Sequence, residues 1–509
     1  MECSMDAAAL SREIQEFIGS SSSGAVIEDG EILFDLTEAR YSISGENGRC
    51  VLHFWSSERN CVRRVIDAEL KHGTLRLEVQ RLGKPKPTHL EICRDRDQRS
   101  PSAKRSQRAA YERQLERVLL RTFPGLTPDH PKSSMDLERS FGPLYARGTL
   151  HKGNTAFAIL GVNADEMQAS VDGALTVGLL WLDYLRAREA GRKLVAGLKI
   201  FAPPERSAIV RERMAHLNRD AASFELYEFD QRAGSAEMVD TSDRGNVATR
   251  LVHCPNQQGA RQRFEASILG IRCLVPECDV VVVSPAEVSF RVHGLEFARA
   301  RVGGSIHSSQ EIVFGVGPSE TVLNSDSEAL FAEIVRRLRE SRRPGPERHG
   351  DVLWRMAPER WLESLIIGDV SALDYRLDPR WVYSQVPAFS ASDRAMIDVL
   401  TSTTDGRLAV LELKADEDLH LPLQGLDYWS RVRWHHSRGE FQQFGYFSDA
   451  PLSDKPPLLM LVAPALRIHP TTDKLLRYFS PEIDWELVAV NEDWRDGVKP
   501  VFRKRPRPI

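Results

Sequence analysis

The feature that most constrains this chain is that its second half repeats the first. Residues 112–120 (ERQLERVLL) match 359–367 (ERWLESLII), which aligns Glu116 with Glu363, and 157–166 (FAILGVNADE) match 408–417 (LAVLELKADE) with five identities in ten. Leu-Asp-Tyr recurs at Leu182 and Leu426, Ala-Pro at Ala202 and Ala463, and Phe224-Glu-Leu answers Trp485-Glu-Leu, with offsets between 244 and 261 in one order. A self-match that keeps its order over this length marks an internal duplication. Any fold must therefore supply the same unit twice.

Each copy reads as helix, hairpin, helix, strand, helix, strand, from 3.6-residue periodicity broken by short apolar runs and turn residues. Ahead of each lies a segment of shorter strands. In the first, an amphipathic helix at 7–18 and a break at Ser20 to Ser23 precede a hairpin at 61–82 with His72-Gly73 near its turn. The expected fold class is a multidomain α+β and α/β chain with two α/β cores, each preceded by a β-rich domain. Its divisions are a β-rich domain at 1–95, an α/β domain at 96–235, a second β-rich domain and basic linker at 236–345, and a second α/β domain at 346–509. Basic linkers are expected at 94–108 and 336–350, and a basic tail at the C-terminus.

Composition excludes several classes. Lys and Arg total 68 against 72 Asp and Glu, a net charge of -4, so any nucleic-acid partner must be held by local patches of Arg and Lys. Seven scattered cysteines are no disulfide framework. No eighteen-residue apolar run or signal-type N-terminus is present, so the expectation is a cytoplasmic chain with no membrane partner.

The chemistry concentrates in 394–428. Asp405-Gly406 separates two apolar runs, and a three-residue loop of Thr404, Asp405 and left-handed Gly406 sets Asp398 opposite Glu412. Glu412 and Lys414, two apart on one strand, share a face while Leu411 and Leu413 point into the core. Two carboxylates beside an ammonium form a site for a hard divalent cation. Phosphodiester hydrolysis uses that arrangement, because the ion neutralises phosphate charge and acidifies water.

At these residues the chain resembles the PD-(D/E)XK nuclease superfamily, over about 358–490. Asp398, Glu412 and Lys414 match its motif, with 395–398 in place of the nominal Pro-Asp. Gln424 and Tyr428 match the QxxxY element of the RecB-like branch, and Pro422 suits the first turn of their helix. The resemblance implies restriction-endonuclease-like cores, the second active and the first degenerate. It implies Mg2+ or Mn2+ held by Asp398, Glu412, the Leu413 carbonyl and Glu363, with Lys414 serving catalysis and Gln424 and Tyr428 orienting the site. No cysteine follows Cys278 and no phosphate-binding loop is present, which excludes the iron-sulfur and motor-coupled forms.

The implied function is a Mg2+-dependent deoxyribonuclease with one active site, DNA being favoured over RNA and endo- or exonucleolytic action left open. The alternatives are a catalytically inactive nucleic-acid-binding scaffold and a nuclease effector activated by a ligand or partner. Arg431, Arg433 and Arg438, interleaved with Trp434, are candidate nucleic-acid contacts beside Gln424. The first copy carries Arg147, Gly161, Asn163 and Leu180 where the sequence match places Asp398, Glu412, Lys414 and Gln424. No metal site can be made from those four. Arg147 there suits a phosphate, or pairing with the other copy in an intrachain pseudo-dimer.

Overall fold

The computed structural model describes residues 7–19, 24–28, 31–36, 39–45, 49–56, 59–71, 74–81, 87–93, 101–134, 141–244, 249–303, 310–317, 319–345, 350–390 and 396–506. It is a mixed α/β molecule in which the described strands form four sheets. The first is a seven-stranded antiparallel sheet between Ala25–Glu28 and Thr88–Cys93. Strands such as Cys50–Trp55 alternate buried and half-buried residues, and the Ala7–Gly19 helix lays Leu10, Ile14, Phe17 and Ile18 on the buried row. Period 3.6 thus meets period 2 across one core. The expected hairpin is present as Asn60–Lys71 paired with Thr74–Arg81, while 20–23 and the turn residues His72 and Gly73 lie outside the described residues.

The second and fourth sheets share one topology. In the second, Thr127–Lys132, Tyr145–Lys152 and Thr155–Val162 form an antiparallel meander, the Ala174–Arg188 helix crosses over, and Leu194–Ala202 and Ser223–Asp230 follow in parallel. Ser235–Val239 closes that sheet antiparallel. In the fourth, Leu377–Ser390, Met396–Thr403 and Leu408–Leu413 form the meander, Leu421–Ser437 is the crossover, and Leu458–Pro464, Trp485–Val490 and Pro500–Lys504 complete the same order. A parallel step needs a helical crossover, and strands so covered are apolar on both faces. Leu408–Leu413 and Leu458–Pro464 are accordingly buried throughout. The third sheet, Asp279–Ser284 to Thr321–Val322, is antiparallel and packs on Glu265–Leu274 and Glu328–Ser341.

Several boundaries differ from expectation. Residues 236–239, expected to open the second β-rich domain, return on Ser223–Asp230 through a turn in which Gly234 N–H bonds the Asp230 carbonyl. Thr249–Leu251 instead pairs with Leu377–Ser390. A strand leaving a tight turn has its nearest unpaired partner in the strand it just left. The expected linkers are partly helical: 101–108 begin the Pro101–Thr122 helix and 336–341 end Glu328–Ser341, with 94–100 and 346–349 outside the described residues. The expected C-terminal tail contributes Arg503 and Lys504 to a strand, because Asn491 N–H bonds the Lys499 carbonyl and folds the segment back.

The second and fourth sheets share a core, to which one contributes Leu175, Leu179 and Leu182 and the other Leu423, Leu426 and Trp429. Their contacts are reciprocal. Asn218 N–H bonds the Tyr478 carbonyl at 2.8 Å and Ser480 N–H bonds the His216 carbonyl at 2.9 Å, around an antiparallel bridge between Leu217 and Phe479. Arg213 pairs with Asp427 at 2.7 Å and Lys474 with Asp183 at 3.3 Å. In the backbone bridge each unit gives one bond and receives one, a locally isologous contact within one chain. Among the described residues, no helix is long and apolar enough to cross a membrane.

Candidate active site

The hairpin register brings the two principal acids together. Val399 pairs with Leu411 and Ser402 with Leu408, Gly406 N–H bonds the Thr403 carbonyl at 2.8 Å, and Gly406 has φ +82°. One step beyond the last pair, Asp398 stands opposite Glu412, and its Oδ2 accepts the Leu413 N–H at 3.0 Å. The Leu413 side chain lies in the core with Trp361 and Met460, so only its backbone faces this chemistry. Lys414 Nζ lies 3.2 Å from Glu412 Oε1, 3.8 Å from Asp418 and 3.9 Å from Glu359.

The crossover helix closes over the same face. Gly425 permits this, since a Cβ there would sit 2.5 Å from Leu461 and 3.6 Å from the Glu412 Cβ. One residue before it, Gln424 has a buried Oε1 without a hydrogen-bond partner. Three residues after it is Tyr428, whose hydroxyl is held above its ordinary pKa by burial and by the charges of Glu412 and Asp398. From the other side, the Pro358–Gly368 helix delivers Glu363, whose Oε2 accepts from Arg360 at 2.9 Å and from Gln385 at 3.1 Å.

Glu363 and Glu412 are both buried, and each keeps one carboxylate oxygen, Oε1 and Oε2 respectively, with no hydrogen-bond partner. A buried polar atom left unpaired is costly and needs a reason. Burial raises the pKa of Glu412 well above the ordinary carboxylate range, the Asp398 charge adds to this, and Lys414 opposes it. Burial likewise raises Glu363, with Arg360 opposing and Asp398 adding. For Lys414 burial acts downward, but Glu412 and Glu359 outweigh it and hold the ammonium form. Among the described residues, no three His, Cys, Asp or Glu groups converge closely enough to hold an ion unaided. The oxygens present are two opposed carboxylates, a third acid reached through Gln385, and the Gln424 carbonyl. These are hard donors of the type Mg2+ or Mn2+ takes, with water completing the shell.

The first copy is aligned differently in space than by sequence. Gly178 packs on Leu198 and Ile200 as Gly425 packs on Leu459 and Leu461. Beside Ile200 lies Leu160, and opposite Leu160 lies Arg147; beside Leu461 lies Glu412. Arg147 therefore does correspond to Asp398. Glu412, Lys414, Gln424 and Tyr428, however, correspond to Leu160, Val162, Val177 and Trp181, rather than to Gly161, Asn163, Leu180 and Tyr184. A one-residue slip on a strand reverses its faces: Gly161 in fact packs on Tyr111 and Leu115, on the opposite side of the sheet. No carboxylate occupies the corresponding positions.

Of the expected basic contacts, Arg147 and Arg431 are buried, and Arg433 and Arg438 lie at the surface in ion pairs. Arg147 is buried, stacks on Phe141 with 4.8 Å to the ring centroid, and donates to the carbonyls of Gly142 and Ser134. These bonds point its guanidinium into its own unit rather than toward the expected phosphate or the other copy. Arg431 is 2% exposed and donates to the Ala388 carbonyl, because its helix turns that face inward. Arg433 pairs with Glu482 and lies over Trp429, while Arg438 pairs with Glu440 and lies over Trp434. Of these, Arg438 keeps the most open side chain, 55% exposed. Two site residues were not singled out from sequence. Glu359 had a signal, since it precedes Glu363 by one helical turn. Gln385 had none, because its placement depends on an irregular strand. Compared with known proteins, the chain matches no protein-family model, and no curated protein matches it.

Proposed function

We propose that the chain is a metal-dependent nuclease of the PD-(D/E)XK superfamily, hydrolysing phosphodiester bonds, with DNA the favoured substrate, at one site in the C-terminal α/β unit. In this reading the first α/β unit is a degenerate copy of the same restriction-endonuclease-like core. The observation that carries it is the pair of buried carboxylate oxygens on Glu412 and Glu363 that lack any donor, next to Asp398 and a charged Lys414. A lone surface ion-pair cluster would not bury two acids and leave one oxygen of each without a donor.

Asp398, Glu412 and the Leu413 carbonyl would hold Mg2+ or Mn2+, with Glu363 completing the anionic wall. The bound ion would neutralise charge on the phosphate and acidify a water. Lys414, beside Glu412 and Glu359, would orient the nucleophilic water and steady the developing charge. Tyr428 keeps its hydroxyl proton and can donate to the phosphate, while Gln424 offers an amide to the strand. Since Arg431, Arg433 and Arg147 are committed internally, substrate is held mainly at the site itself and by Arg438.

Labelled single- and double-stranded DNA and RNA, incubated with Mg2+, Mn2+ or chelator, test this. Metal-dependent cleavage is expected, reduced about 100-fold or more by Lys414→Ala and by Glu412→Ala. Cleavage that survives both substitutions overturns the site.

A further inference from the structure

Among the described residues five non-glycine residues have positive φ, and three of them, His293 (46°), Ala357 (46°) and Gln385 (50°), abut the helix that carries Glu363. Ala357 is the residue before its first turn. His293 stacks on Trp361 at 5.0 Å, in a turn whose Gly294 leaves no room for a Cβ, since one would lie 2.0 Å from the Arg360 carbonyl. Gln385 is the most unusual of the three, because it lies inside a strand. Ser384 pairs with Val399 and Val386 with Ile397, so Gln385 stands opposite Asp398 at an unpaired step. A long side chain gains nothing from left-handed backbone in a β-strand, and such outliers collect where function requires them.

The side chain shows what the distortion achieves. Gln385 Nε2 donates to Glu363 Oε2 at 3.1 Å and to Asp398 Oδ1 at 3.3 Å. Both partners are acceptors, which settles the amide as the donor on this side. Asp398 Oδ2 is taken by the Leu413 N–H, and Gln385 and Arg360 both donate to Glu363 Oε2, which leaves Glu363 Oε1 without a donor.

We propose that Gln385 is a positioning residue for the candidate site: its two amide hydrogens tie Glu363 and Asp398, which would otherwise repel, into one anionic pair, and its left-handed backbone serves that bridge. The inference rests on the nuclease reading, since a divalent cation is the ligand such a pair would take. Amide and carboxylate partners of this kind commonly govern metal affinity by tenfold to a hundredfold.

Calorimetric titration of the full-length protein with Mn2+ tests it, alongside thermal melts and the cleavage assay. Gln385→Met keeps the bulk and removes both donors; Gln385→Gly removes the donors and relieves the backbone. Both are expected to weaken Mn2+ binding about tenfold or more, while the glycine variant melts no lower than wild type. A purely structural role would lower the melting temperature of both variants and leave Mn2+ affinity unchanged, and unchanged affinity overturns the proposal. If the methionine variant does not fold, the glycine variant decides. A wild-type protein that binds no Mn2+ overturns both the bridge and the nuclease reading. One that binds Mn2+ without cleaving, and loses affinity in the variants, upholds the bridge and overturns the nuclease reading alone.

Discussion

At the scale of single residues, the candidate site is defined by what its acids lack. Glu412 is buried, and its raised pKa, from burial first and the Asp398 charge second, has a definite consequence for stability. The folded state binds the Glu412 proton more tightly than the unfolded chain, so folding loses stability as pH rises from the ordinary carboxylate value to the raised one. Glu412→Gln holds the neutral form permanently. The variant should match wild type near pH 4 and exceed it near pH 8 by about 1–3 kcal/mol, read as the difference between urea-unfolding free energies. Adding Mg2+ or Mn2+ should narrow that gap, because a cation stabilises only the ionised wild type. A gap independent of pH would show that the Glu412 carboxylate is not strained by its burial.

At the scale of elements, the hairpin from Met396 to Leu413 was readable because Asp405-Gly406 dictates its loop and the loop dictates the register. Gly406 meets two constraints, a φ of +82° and a position where a Cβ would lie 2.1 Å from the Pro451 carbonyl. Gly406→Ala should therefore cost about 1–3 kcal/mol in urea unfolding and depress any cleavage with it, whereas a neutral substitution would mean that the loop can rearrange freely. The crossover helix was readable in kind and in its Pro422 start, but its depth was not. Matching Leu-Asp-Tyr to Leu-Asp-Tyr misplaces the first copy by about one turn, because side chains three residues apart on a helix share a face. The unpaired step at Gln385 left no trace in the sequence, since a strand irregularity is set by both strands together. The inward turn of Arg431 was also hidden, for a cation on a helix is exposed or buried according to what packs against it.

At the scale of the molecule, the shared core joins the two α/β units around His216, which lies edge-on to Trp429 at 5.5 Å and whose Nδ1 has no partner. Burial, followed by the charges of Arg244 and Arg433, lowers its pKa to about 4 from an ordinary 6.5, with Glu482 and Asp427 opposing. The unfolded chain therefore binds a proton that the folded chain refuses, and stability is lost as pH falls from 6.5 toward 4. Two and a half pKa units at a site only 4% exposed correspond to on the order of 3 kcal/mol. His216→Phe keeps a ring against Trp429 and should remove most of that acid sensitivity, measured as the difference in unfolding free energy between pH 7 and pH 4. Equal sensitivity in the variant would place the acid-labile group elsewhere.

What the sequence determined by itself was local or repetitive: the two α/β units in one order, the hairpin, the loop that opposes Asp398 to Glu412, and Lys414 on their face. These depend on side-chain period and turn chemistry, which act over a few residues. Tertiary structure alone decided that the two units share a core through reciprocal contacts, that 235–239 and 249–251 join the α/β sheets, that Arg147 and Arg431 are buried, and that Gln385 bridges Glu363 to Asp398. Each of those outcomes depends on which surfaces exclude water together, and residues far apart in the chain settle that jointly.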